Sequence, residues 1–307
     1  METFTLPSAI DGLPLSVAVI RPNAAPIGIV QTVHGMIEHK ERYYPFMEWL
    51  SEHGYACIAG DLRGHGASVL REEDLGYMGK DGWKAFVEDT KTIGDWARRE
   101  FGDIPFTLIG HSMGSLVVRS YLKRYDSTID RLIVSGSPSD NPAKGAGKAI
   151  AKAIRAIKGS HCRASILHKI SFAGYNDAFK EDAGYDRAWV CSNPEILKAY
   201  HSDPLCSFLF TADGFVNLFE LMSDCYSKDG WHVTKPNLPV RFLSGALDPC
   251  RTSDKAWEDA VKFLTRRGYS NVSGKLYPGM RHEILNETDR LTVWNDILNE
   301  LCGTSLQ

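Results

Sequence analysis

No stretch of this 307-residue chain approaches the roughly 18 consecutive apolar residues that a membrane-spanning helix needs. The amino terminus, Met1-Glu2-Thr3-Phe4-Thr5-Leu6, lacks the basic segment followed by an apolar segment that marks a secretory leader, which points to a cytoplasmic protein. An excess of charge of one sign is missing too. The formal net charge of -3 leaves no global footprint for nucleic acid and no reason for a strongly acidic substrate. The 7 cysteines are odd in number and scattered, with no C-x-x-C pair, so free thiols buried as small hydrophobes are expected. There is no H-E-x-x-H run and no close set of His and Asp. Adjacent His161 and Cys162 cannot hold an ion by themselves, so no metal is expected. No Gly/Ser, Pro or Gln tract interrupts the chain, and 43% hydrophobic with 24% charged residues is ordinary globular usage.

What is present is an alternation. Apolar or β-branched runs at Gly28 to His34, Tyr55 to Asp61, Pro105 to Gly110, Arg131 to Ser135, Pro239 to Gly245 and Gly274 to Tyr277 are separated by amphipathic stretches. The helical stretches are Tyr43 to Glu52, Gly82 to Phe101, Ser115 to Tyr125, Ser253 to Arg267 and Thr288 to Leu301. This pattern predicts an α/β fold, a mostly parallel sheet with helices on both faces. It opens with an antiparallel hairpin, Thr3 to Ile10 and Leu13 to Arg21, turned at Asp11-Gly12. From 139 to 236 the strand signals stop. Residues 1–138 and 237–307 are therefore expected to form one core domain, with 139–236 inserted as a helical cap over the ligand-binding edge of the sheet.

The chemistry-bearing motif is Gly110-His111-Ser112-Met113-Gly114, entered from the apolar strand Thr107-Leu108-Ile109 and followed by a helical pattern. G-x-S-x-G alone is weak evidence. Between a strand and a helix, however, the serine is lifted clear of the backbone at a sharp turn, and the helix start favours developing negative charge. Serine needs a base, and the base needs a partner that fixes its tautomer. Asp248 follows the strand that starts at Pro239, and His282 follows the last strand. Ser112, Asp248 and His282 thus stand in the chain order of the α/β-hydrolase fold. Asp254 is the weaker rival for the acid, lying a helical turn further on. Two backbone N–H groups should receive the oxyanion, those of Met113 and of Met36 in the loop after the third strand.

Four motifs resemble the monoacylglycerol lipase and lysophospholipase group of serine hydrolases, bacterial type: His34-Gly35-Met36-Ile37-Glu38-His39, Asp61-Leu62-Arg63-Gly64-His65-Gly66, the Ser112 motif, and Met280-Arg281-His282-Glu283. Asp203-Pro204-Leu205-Cys206 in the insertion adds to the likeness. The resemblance implies an acyl-enzyme route without a cofactor, acting on a small-molecule acyl ester. It also implies head-group contacts at Glu38 and Arg42, which could equally form an ion pair. Ile37 stands where the animal enzymes often have Gly, and Ser115 replaces a Gly or Ala.

The insertion bears on the substrate. Phe215, Leu218, Phe219 and Met222 form a stripe at helical spacing, and Phe215 and Phe219 are candidates for lining an acyl tunnel; the same stripe could glue the cap to the core. Segment 144–169 holds Lys144, Lys148, Lys152, Arg155, Lys158, Arg163 and Lys169 without an acidic residue. Such a segment fits transient contact with an anionic membrane surface, or the solvated face of a lid helix. The expected function is a serine carboxylester hydrolase. A small-ester esterase or serine aminopeptidase shares every catalytic residue, and a non-enzymatic receptor would not need an intact triad.

Overall fold

The computed structural model describes residues 1–182, 184 and 186–303. Its sheet has eight strands: β1 (Glu2–Pro7), β2 (Pro14–Ile20), β3 (Gly28–Val33), β4 (Tyr55–Gly60), β5 (Phe106–His111), β6 (Arg131–Ser135), β7 (Val240–Gly245) and β8 (Val272–Tyr277). Their spatial order is β1-β2-β4-β3-β5-β6-β7-β8. β2 runs antiparallel to both β1 and β4, and every other pair is parallel. The hairpin forms as expected, but β1 stops short of Ile10. Pro7 faces Pro14 at the end of the ladder, and neither nitrogen has a hydrogen to donate. The chain turns there instead, with the Gly12 amide donating to the Ser8 carbonyl at 2.9 Å.

β3, β4, β5 and β7 are buried along their whole length because helices cover both faces. Side chains alternate across the sheet. Ile109 and Ile133 pack with Phe46, Leu50, Val293 and Trp294 of α1 (Tyr44–Glu52) and α9 (Arg290–Leu301). Their neighbours Leu108 and Leu132 pack on the opposite face with Phe86, Val117 and Trp257, from α2 (Gly82–Phe101), α3 (Met113–Tyr125) and α8 (Asp254–Thr265). Parallel register aligns the strand ends: Val33 pairs with Gly110, His111 with Ser135, and Gly245 with Tyr277. The loops that carry Met36, Ser112, Asp248 and His282 therefore leave the sheet at one edge.

Between β6 and β7 lie α4 (Lys144–Lys158), α5 (Ser165–Ser171), α6 (Pro194–Ser202) and α7 (Ala212–Cys225), with only an isolated bridge, Arg163 to Thr211, among the described residues. This segment is not one body. Phe215, Leu221 and Cys225 of α7 merge with the main core, and α7 packs against α3. Phe179, Trp189, Val190 and Leu197 form a small cluster of their own that reaches Cys250. Among the described residues no helix is long and apolar enough to cross a membrane.

Candidate active site

Ser112 sits between β5 and α3 with φ 52° and ψ -119°, a backbone conformation that a non-glycine residue rarely adopts. Two features hold it there. Its amide donates to the Ser135 carbonyl at 3.0 Å, and the Ser115 hydroxyl donates to its carbonyl. Gly114 is required by close approach. A Cβ there would stand 2.2 Å from the Val33 carbonyl oxygen, so α3 can start only where it does if this residue has no side chain. Ser115, the departure from the motif, thus supplies a bond that Gly or Ala could not.

Nδ1 of His282 lies 2.9 Å from Oδ2 of Asp248. That carboxylate also accepts from the Ser244 hydroxyl at 3.1 Å and from the Cys250 amide at 2.8 Å, so its charge is well supplied with donors. Burial alone would push Asp248 up, but the His282 charge and these hydrogen bonds hold it below the ordinary carboxylate value. Burial works against a charged His282 as well, yet the Asp248 carboxylate outweighs it and raises the imidazole well above its ordinary value. The imidazole stands between two rings, His111 at 4.6 Å and Trp189 at 5.0 Å between centroids. The 188–191 strap of the insertion also clamps its backbone: the Glu283 amide donates to the Val190 carbonyl at 2.8 Å, and Arg281 donates to the Ala188 carbonyl at 2.7 Å.

The loop carrying Met36 is fixed by residues of the second motif. The Leu62 amide donates to Nε2 of His34, and Asp61 accepts from the Lys40 amide, the Lys40 ammonium and the Ala67 amide, all at 2.7–2.8 Å. Gly35 permits the turn to pass the nucleophile, since a Cβ there would lie 2.9 Å from Cβ of Ser112. Ile37 adopts φ 58°, which explains the glycine preference at this position. The β-branched residue is held in it by burial and by the Tyr200 hydroxyl, which donates to the Ile37 carbonyl at 3.2 Å. Neither the Met36 nor the Met113 amide has an acceptor among the described residues. Both are thus free to donate to a developing oxyanion.

Ser112, His282, Met36 and Met113 line one cavity of about 550 Å³. Asp248 stands behind His282, outside the lining. Of the head-group candidates, Glu38 reaches the cavity but Arg42 does not. Its guanidinium bonds Glu38 at 3.1 Å and both oxygens of Glu283, and stacks over Tyr200 at 4.7 Å. The ion-pair alternative is the one observed, in a buried form. Burial raises Glu38, whereas Arg42 pulls Glu283 below its ordinary value despite burial. Phe219, Leu218 and Met222 line the cavity. Phe215 corrects the expectation of an acyl-lining role: fully buried against Phe210 and Phe219, it binds α7 to the core. Spacing put it on the stripe, but the stripe faces inward at that end.

Two mixed groups of donors come within reach of a single ion among the described residues: Asp248, Cys250 and His282, and His39, Asp203 and Cys206. In the first, Nδ1 of His282 is already engaged by Asp248.

A family model described as serine aminopeptidase, S33 (Hydrolase_4) matches residues 24–289. A monoacylglycerol lipase of Mycolicibacterium smegmatis is 26% identical over 290 residues, spanning 94% of this chain and 93% of its own. Phospholipase YtpA of Bacillus subtilis is 24% identical over 273 residues, spanning 88% and 93%. Among solved structures, a highly thermostable carboxyl esterase from Bacillus coagulans in complex with glycerol superposes with a TM-score of 0.87 at 25% identity, covering 99% of this chain and 98% of that one. The resemblance read from four short motifs is met by a relative of that name across nearly the full length. With an α/β-hydrolase sheet and a family match over most of its residues, the chain belongs to the serine aminopeptidase S33 family.

Proposed function

We propose that the protein is a serine carboxylester hydrolase of lipid monoesters, monoacylglycerols or lysophospholipids, working through an acyl-enzyme. Ser112 attacks the ester carbonyl as His282 takes its proton at Nε2, and the Met36 and Met113 amides receive the oxyanion. His282 returns that proton to the leaving alcohol. Water then attacks the acyl-serine with His282 again as base, releasing the fatty acid. The observation that carries this reading is the make-up of the cavity. Its volume of about 550 Å³ suits a drug-sized apolar ligand, and Leu209, Leu218, Phe219 and Met222 of the insertion face the nucleophile across it.

The aminopeptidase reading needs a free carboxylate beside the nucleophile to hold an amine. Of the carboxylates that line the cavity, Glu38 and Glu283 are both engaged by Arg42, so exposed Asp186 of the insertion is the one left to that reading. Residues 139–236 act in this reading as a cap. Turnover of glycerol monoesters of increasing chain length tests the lipid assignment. Rates should climb from acetate to chains of about eight carbons or more, and a maximum at acetate would replace this reading with the small-ester one.

Membrane contact belongs to the same proposal, on different support from that expected. Lys144, Lys148, Lys152 and Arg155 pair with Asp140, Glu220 and Asp213. The outward apolar groups are Ile150, Ile157, Ile166 and Ile170, on α4 and α5. Anionic vesicles should retain the wild type and lose an Ile157→Asp, Ile170→Asp variant; equal retention of both would rule this surface out.

A further inference from the structure

Away from the triad the fold gathers three chemically unlike donors at one point. His39 lies on the loop that carries Met36, and Asp203 and Cys206 lie in the turn that joins α6 to α7. Nε2 of His39 is 2.8 Å from Oδ2 of Asp203 across a sequence separation of 164 residues. One ligand atom from each of His39, Asp203 and Cys206 lies within 4.8 Å of the other two. His39 and Cys206 are buried, while the Asp203 side chain is 29% exposed and leaves a path from solvent. The ion pair accounts for His39 and Asp203. It leaves the Cys206 sulfur without a role, since that sulfur makes no hydrogen bond among the described residues.

Imidazole, thiolate and carboxylate together are donors for a borderline-soft ion, Zn²⁺ above all, whereas Ca²⁺ and Mg²⁺ take sets of oxygens. Around a tetrahedral ion with bonds of about 2.0–2.3 Å, ligand atoms sit roughly 3.3–3.8 Å apart. The observed cluster is within about an ångström of that arrangement. We propose that His39, Asp203 and Cys206 bind a thiophilic divalent cation, with water as fourth ligand, that ties the insertion to the oxyanion loop. On binding, the Cys206 S–H bond breaks, a metal–sulfur bond forms and the proton leaves to solvent. The Nε2–H bond of ion-paired His39 breaks as well, its proton also leaving to solvent; His39 keeps its proton on Nδ1 and gives the freed Nε2 lone pair to the ion, and Asp203 exchanges its hydrogen bond for a metal–oxygen bond. No electron is transferred. Loading therefore releases protons and weakens as pH falls.

The test does not depend on which ester is hydrolysed. Full-length protein treated with a chelator is titrated with Co²⁺ as a spectroscopic stand-in for Zn²⁺. A thiolate-to-Co²⁺ charge-transfer band should saturate near about one ion per chain and be abolished by Zn²⁺. It should be absent in Cys206→Ser, with binding at least about tenfold weaker in His39→Gln. Zn²⁺ should also raise the thermal midpoint of the wild type and leave that of Cys206→Ser unmoved. Absence of the band in the wild type overturns the proposal. So does a band that survives Cys206→Ser and disappears in Cys250→Ser, which would place the ion on the triad. If Cys206→Ser does not fold, His39→Gln and Asp203→Asn carry the same comparison, and undiminished Co²⁺ affinity in both overturns it.

Discussion

On the core side of the cavity, Asp248 accepts from three donors and Glu38 from the Gly35 amide, the Tyr43 hydroxyl and Arg42. The facing side, built from α5, α7 and the strap before α6, presents Phe172, Leu218, Phe219 and Met222, which are positioned by packing. The difference follows from what each wall must do. Groups that stabilise charge act only at fixed distances, so their positions are over-determined by hydrogen bonds. A surface that receives an alkyl chain needs volume and apolarity, and tolerates looser placement.

Changes on the core wall should therefore strike turnover, and changes on the facing wall should strike selectivity. Ser112→Ala should lower kcat by about 10⁴-fold or more, with folding intact, and abolish labelling by a fluorophosphonate. Labelling that persists would remove Ser112 from its role. Gly35→Ala places a methyl 2.6 Å from Oε1 of Glu38 and 2.9 Å from Cβ of Ser112. Displacement of the Met36 amide should then cost about 10²–10³ in kcat, and an unchanged kcat would break the comparison.

The third prediction divides α7 itself. Phe215→Ala should lower unfolding stability by about 3–5 kcal/mol, since it empties a fully buried site. Phe219→Ala should raise KM for long-chain esters by about tenfold and shift the chain-length optimum, with a smaller loss of stability. Equal stability losses without a shift in selectivity would mean that α7 is core along its whole length.

Acidity gives the smallest and broadest effect. His282 must be neutral to accept a proton, and its value is raised well above 6.5, so kcat/KM should rise with pH through an apparent pKa above 6.5. Stability follows other groups. Burial lowers His34, His65 and His111 to about 3, so below about pH 6.5 the unfolded chain takes up protons that the folded one refuses. Stability should decline as pH falls from about 6.5 toward 3, and a urea midpoint at pH 5 equal to that at pH 7.5 would contradict this.

The placing of Ser112, Asp248 and His282 at one edge of the sheet was legible in the sequence because each sits at the end of a strand whose apolar run is local. The strand order and one shared edge then followed from the parallel register. Contacts between distant segments were not legible. Arg42 meets Glu283 across 241 residues, and only the fold shows that its guanidinium turns away from the cavity. Lys148, Lys152 and Arg155 of α4 looked unopposed because their partners, Glu220 and Asp213, belong to a helix more than 50 residues further on. Phe215 and Phe219 are equivalent by helical period, and the fold separates them by seating Phe215 against Phe210 in the core while Phe219 lines the cavity. The 188–191 strap carried no motif at all, since it acts through backbone carbonyls that any residue could supply.

The bond from the Tyr200 hydroxyl to the Ile37 carbonyl links two segments 163 residues apart in sequence. It joins α6 to a loop whose isoleucine is held in an unfavourable conformation, so any displacement of α6 would free that loop to relax. Amide hydrogen exchange at Met36 to Glu38 should then rise and fall with that of α6, and should rise in Tyr200→Phe.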